Sequence, residues 1–162
     1  MKKTFVSTAI ALLILIVLAS TTFAAPAAGE RQLLLKGSLE AVETHQIVPP
    51  TTMFVDGTGS GNTTQLGLFT MSFQAEVFLP TLFAASASAT LVSADGANIF
   101  AEGSGQGTPT GTPGIVSIVE TYTITGGTGR FAGATGNFTV ERLIDRATLA
   151  SSGTISGTIV IP

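Results

Sequence analysis

Glu43-Thr44-His45 and Glu120-Thr121-Tyr122 each set two chemically capable side chains two positions apart. In an extended chain, residues i and i+2 face the same way. Each triplet therefore delivers a carboxylate and a partner, imidazole or phenol, to one side of a strand. Arg142 offers a guanidinium on a third segment, between Val140 and Ile144. A carboxylate partly buried in such a place has its pKa raised and can exchange protons, so Glu43 and Glu120 are the candidate acid–base groups. His45, Tyr122, Arg142, Phe73 and Met71 are the candidate ligand contacts. Blander readings stand beside these: a structural ion pair between Glu120 and Arg142, and a hydrogen-bonded structural role for His45. The chain holds one histidine and no cysteine. Thiol chemistry is excluded, and a metal centre would need more ligands than one histidine and scattered carboxylates supply. No cofactor and no metal are expected.

These residues need strands to carry them, and period-two alternation recurs along the chain. Leu33 to Val48 puts Leu39, Ala41, Glu43 and His45 on one face, and Pro49-Pro50 ends that strand. Thr51 to Asp56 reads as a short second strand, followed by a flexible turn over Gly57 to Asn62 (G-T-G-S-G-N). Leu66 to Phe78 carries Phe69, Met71, Phe73 and Val77 on one face. Further strands are expected over Leu82 to Val92, Asn98 to Gly105, Ile115 to Thr125, Thr135 to Asp145 and Ser152 to Ile161. Between the fifth and sixth, Gly107 to Gly114 reads as a loop. If the hairpin joining the sixth and seventh is centred near Arg130, residue 118 faces 142 and 120 faces 140. Glu120 and Arg142 are then diagonal neighbours about 7–8 Å apart, within reach of a long side chain. Glu40, Glu76, Glu102 and Glu141 fall on the opposite, outward faces.

Eight short strands joined by glycine-rich turns make an all-β chain, and an eight-stranded antiparallel closed barrel is the expected architecture. Such a barrel is just wide enough inside for side chains or one small ligand. A two-sheet sandwich is the alternative.

The amino terminus is of another kind. Lys2 and Lys3 precede an apolar run from Ala9 to Leu18, and small residues follow through Ala24. This is the layout of a secretory signal peptide, helical and too short to span a bilayer. Residues 1–24 are therefore read as the signal, 25–36 as a lead-in and 37–162 as one barrel domain. The processed protein is expected to be secreted or periplasmic, without a stable membrane span. Its remaining basic residues, Arg31, Lys36, Arg130, Arg142 and Arg146, are outnumbered by ten acidic ones. No basic patch is left for nucleic acid. Export without cysteine also leaves burial and strand pairing to supply all the stability.

Thr125 to Ala132 (T-G-G-T-G-R-F-A) superficially matches a dinucleotide-binding loop. That loop needs a helix after it to hold the pyrophosphate, whereas residues 132 to 142 alternate as a strand. Nucleotide binding is not expected. Gly126, Gly127 and Gly129 suit a tight turn that tolerates positive φ, and Phe131 can fold back to cap a barrel end.

The run from Tyr122 to Gly136, with its I-T-G-G-T-G-R-F core, resembles the hairpin of plant allene oxide cyclases and dirigent proteins. From about Leu35 to Ile161 the chain is also similar to small exported bacterial proteins of uncharacterised function, including V-P-P at 48–50 and S-I-V-E-T at 117–121. The resemblance implies an eight-stranded antiparallel barrel. Glu43-Thr44-His45 is similar in place and spacing to a Glu and an Asn of the cyclases' first strand, with His45 where they have Asn. Three functions follow as expectations: a binding module for a small apolar molecule, an isomerase or cyclase acting within the barrel, or a filled structural or surface protein. A homo-oligomer is compatible with each.

Overall fold

The computed structural model describes residues 29–162. The expected signal helix and the start of the lead-in lie outside the described residues. From there on the chain is eight antiparallel strands, β1 (Arg31–Val48), β2 (Thr52–Thr63), β3 (Gly67–Phe78), β4 (Phe83–Ser93), β5 (Asn98–Pro109), β6 (Ile115–Gly127), β7 (Thr135–Asp145) and β8 (Ala150–Ile161). Each pairs with its neighbours in sequence, and β8 pairs back with β1 to close the barrel. Closure leaves no strand edge unpaired, which answers the chief liability of a sheet protein of low charge.

β1 shows how closure is reached. Its residues 31–42 pair with β8, while residues 37–48 pair with β2. The offset between the two ladders is the stagger that tilted strands need to close a barrel. Residues 31–36 thus belong to the barrel wall, and β1 begins two residues ahead of the strand start expected at Leu33.

The expected turn at Gly57 to Asn62 is instead the middle of β2, paired on both sides. The actual turn is Thr64 to Leu66, next to Gly67 at φ 65°. Gly57, Gly59 and Gly61 alternate, so all three face inward. A Cβ on Gly57 would run into the Phe73 ring, one on Gly59 would crowd the Glu40 carbonyl and then Met71, and one on Gly61 would run into the Ser38 carbonyl and crowd Phe69. Gly57 leaves room for a ring of β3, while Gly59 and Gly61 let the β1 backbone come close as well. The same pattern carries β5 past its expected end: Gly107, Thr108 and Pro109 pair with Ile118, Ser117 and Val116.

The core is the inward row of every strand, including Leu35, Leu91, Ile99, Val140, Ile155 and Ile159, all almost fully buried. One end of the barrel is closed. After β6 the chain makes a short 3-10 turn over Gly129–Phe131 and enters β7. Phe131 is 1% exposed and belongs to the same core cluster as Leu66, Ala97 and Ala134. Gly129 takes φ 59°, as the turn requires, but Gly127 is needed for space, since a Cβ there would meet the carbonyl oxygens of Asn98 and Phe131. Arg130 stays outside, donating to the Gln65 carbonyl and pairing with Asp95 at 3.3 Å. The glycine-rich stretch joins strand to strand through that single turn and starts no α-helix.

Candidate functional site

The opposite end of the barrel holds the charged residues. Register places Ile118 opposite Arg142 and Glu120 opposite Val140, so Arg142 lies diagonal to Glu120 on the inner face. Its guanidinium grips that carboxylate with two bonds, Nε to Oε2 at 3.0 Å and the second from Nη2 to Oε1 at 3.2 Å. Nη1 reaches across to β1 and donates to Glu43 Oε2 at 2.7 Å. It also donates to the Ser151 hydroxyl on β8 at 3.1 Å. One arginine therefore ties four strands together from within. The forked, planar guanidinium is the group that can do so, because a lysine has no second arm.

Glu43 spends its other oxygen on His45, whose Nε2 lies 2.7 Å from Oε1. His45 is the wettest member, with its side chain 21% exposed against 3% for Glu43. Its second ring nitrogen makes no hydrogen bond among the described residues. Beneath the guanidinium lies the Phe73 ring, 4.9 Å from Arg142 Cζ. Gly57 makes that stack possible by leaving the ring room against β2. Tyr122 continues inward from Glu120, 1% exposed and stacked on Phe138 at 5.0 Å.

Burial, and after it the Glu120 carboxylate, push the Tyr122 phenol well above its ordinary value of 10.0. For Arg142, burial alone favours the neutral form, but the Glu120 and Glu43 carboxylates outweigh it and hold the guanidinium charged. Among the described residues, every buried side-chain nitrogen or oxygen has a hydrogen-bond partner. No group of three or more His, Cys, Asp or Glu there could hold a metal ion.

Above the cluster is a cavity of about 100 Å³, lined by Glu43, His45, Glu120 and Arg142 on the polar side and by Met53, Val77, Leu82 and Ile118 among its apolar walls. Broader depressions lie on the outer wall, lined by Ser60, Thr70 and Ser152. They touch none of the cluster's charged side chains.

Of the residues singled out from sequence, Glu43, His45, Glu120, Arg142 and Phe73 are brought into one cluster, with Tyr122 adjoining. Met71 is buried deeper in the barrel, beside Gly59, and does not line the cavity. Ser151 was missed because β8 was expected to start one residue after it. Its inward side was legible from the alternation Ser151, Gly153, Ile155.

No family model matches the chain, and no curated protein matches it. Among solved structures it is similar to the pterocarpan synthase dirigent protein GePTS1, with a TM-score of 0.60. The match covers 88% of this chain and 99% of that one at 13% sequence identity. The fold is a dirigent-like barrel. At that identity the likeness concerns the course of the backbone alone. In this dirigent-like barrel the interior charges are placed by register: β1, β6, β7 and β8 each present one polar side chain at the same depth, where Arg142 connects them.

Proposed function

We propose that this dirigent-like barrel is an exported binding module for a small, mostly apolar molecule bearing one hydroxyl group. Residues 1–24 support the export, as the sequence of a signal peptide. The single observation that carries the binding is His45, which has one ring nitrogen without a hydrogen bond and lines a cavity with apolar walls. Small-molecule sites combine such walls with a few convergent polar groups. The cluster beneath is internally paired, so a charged ligand would find its counter-charges already engaged. A hydroxyl needs only one partner, and His45 is the group at liberty to be it.

Full pairing argues against the isomerase alternative. Glu43 bonds through both oxygens and Glu120 is held bidentately, which leaves neither carboxylate free as a base. The same pairing favours the structural reading as the second choice, with Arg142 as an internal tie and no ligand.

The two readings separate by titration. The chain has one histidine, so its imidazole ring protons give an unobstructed NMR signal. Alkanols from propanol to octanol are added to the processed protein. A saturable shift of the His45 signals, tightening with chain length, supports binding. An unchanged signal up to the solubility limit of each alkanol overturns it and leaves the structural reading.

A further inference from the structure

A cavity of about 100 Å³ is well below the ~300 Å³ at which small-molecule sites begin. The elements around the mouth differ in how firmly they are built. Most neighbouring strands pair without interruption, but the β3–β4 hairpin does not. Glu76 pairs with Ser86 and Val77 with Ala84, so Ala85 is an extra residue on β4. Against β5 the ladder likewise skips from Ala84 to Ala87. A bulge of this kind kinks its strand and breaks the ladder locally. Beyond the kink, residues 79–84 border the mouth, and Leu79, Leu82 and Ala84 line the cavity.

Leu82 sits at φ 55°, a region that bulky side chains rarely occupy and that persists only where surroundings enforce it. The enforcing contacts come from β5. Gly107 N–H donates to the Leu82 carbonyl at 2.8 Å, and the Gln106 side chain donates to the Thr81 carbonyl at 2.7 Å. The seat is also bare: a Cβ on Gly107 would stand 3.1 Å from that of Leu82. On the other side, Leu79 N–H donates to the Thr51 carbonyl at 2.8 Å.

We propose that residues 79–84 form a lid that swings on the Ala85 bulge, latched shut by Gln106 and Gly107 and opening the barrel mouth to admit a molecule larger than the closed cavity. Opening must also part Phe83 and Ala84 from Gln106 and Gly105, but the strained residue at the tip and the break in both ladders at Ala85 concentrate it at this point of the mouth. The lid concerns access to the cavity and stands whether or not the ligand assignment is right.

Amide hydrogen exchange tests it without any ligand. In the wild-type protein, peptides spanning 79–84 are expected to exchange at least tenfold faster than interior peptides of β1 and β7, since exchange reports the local opening equilibrium. Gln106→Ala removes one latch bond and should speed exchange at 79–84 by about five- to tenfold, leaving β6 and β7 unchanged. The cysteine-free chain permits a lock: Phe83 and Gln106 are cross-strand partners, and Phe83→Cys with Gln106→Cys should slow that exchange at least tenfold when oxidised relative to reduced. Exchange at 79–84 as slow as in the flanking ladders, and indifferent to Gln106→Ala and to the disulfide, would overturn the lid. Octanol titration of the double-cysteine protein then connects lid to ligand, the oxidised form being expected to block the His45 response and the reduced form to restore it. A His45 signal that ignores alkanols in wild type sinks the binding reading alone, because the exchange data decide the lid.

Discussion

Glu43 and Arg142 lie 99 residues apart in sequence and 2.7 Å apart in the barrel, inside a wall that excludes water from both. The pair is buried on both sides, and Arg142 serves Glu120 at the same time. Removing the shared cation would leave two carboxylates facing each other without a counter-charge. Arg142→Met, which keeps much of the side-chain volume, is therefore expected to cost about 3–5 kcal/mol of unfolding free energy. Urea denaturation measures this. A loss under about 1 kcal/mol would mean that the pair is far wetter than its burial indicates.

The Phe73 ring supports that arginine from below, and Gly57 makes room for the ring. Gly57→Ala puts a methyl where the ring lies. β2 is paired on both sides there and cannot retreat, so the ring must move and take its contact with the guanidinium along. Overpacking of this kind costs about 1–3 kcal/mol. Gly57→Ala with Phe73→Leu should recover part of that loss, a non-additivity that neighbours sharing a contact display. Strictly additive losses in the double variant would show that the two positions do not communicate.

At the closed end, Phe131 is the plug. It is 1% exposed and held by core residues from several elements. Phe131→Ala should cost about 3–5 kcal/mol and lower the thermal midpoint accordingly. The His45 signal, at the far end of the barrel, should stay where it is. Its displacement would mean that the two ends are coupled through the core.

How far these features were legible follows from the glycines. The alternation of Glu43 with His45, Glu120 with Tyr122, and Arg142 with Val140 could be read directly, because strand periodicity is written in side-chain type. The diagonal between Glu120 and Arg142 followed from centring one hairpin. Reading failed where glycine stood in for an inward side chain. Gly57, Gly59 and Gly61 look like a turn by composition, yet their spacing of two is that of a strand whose inner face is occupied by its neighbour's rings. Nothing local announces this, since what crowds each position lies on other strands: the Phe73 ring of β3 at Gly57, and first the Glu40 and Ser38 carbonyls of β1, then Met71 and Phe69 of β3, at Gly59 and Gly61. The junction of Glu43 with Arg142 was likewise out of reach. It depends on which strands close the barrel and with what stagger, a property of all eight together.

Tyr122 is the only tyrosine in a chain without tryptophan, so the phenolate absorbance band reports this one residue. Burial, reinforced by the Glu120 carboxylate, holds its folded pKa above 10.0, the value expected of an unfolded chain. Below pH 10 the phenol is protonated in both states and contributes nothing to the pH dependence of stability. Above it the unfolded chain releases a proton that the folded chain retains. The folded state then binds more protons, and stability falls as pH rises, by about 1.4 kcal/mol per pH unit. Arg142 adds no opposing change in this range, because its carboxylate partners keep it charged. Absorbance should accordingly show no phenolate in the folded protein, and one cooperative rise at the alkaline unfolding transition seen by circular dichroism. Tyr122→Phe should flatten the fall of stability above pH 10. A reversible phenolate titration near pH 10 while the β-sheet signal is intact would place Tyr122 in water, outside the interior from which the Glu120–Arg142 cluster draws its strength.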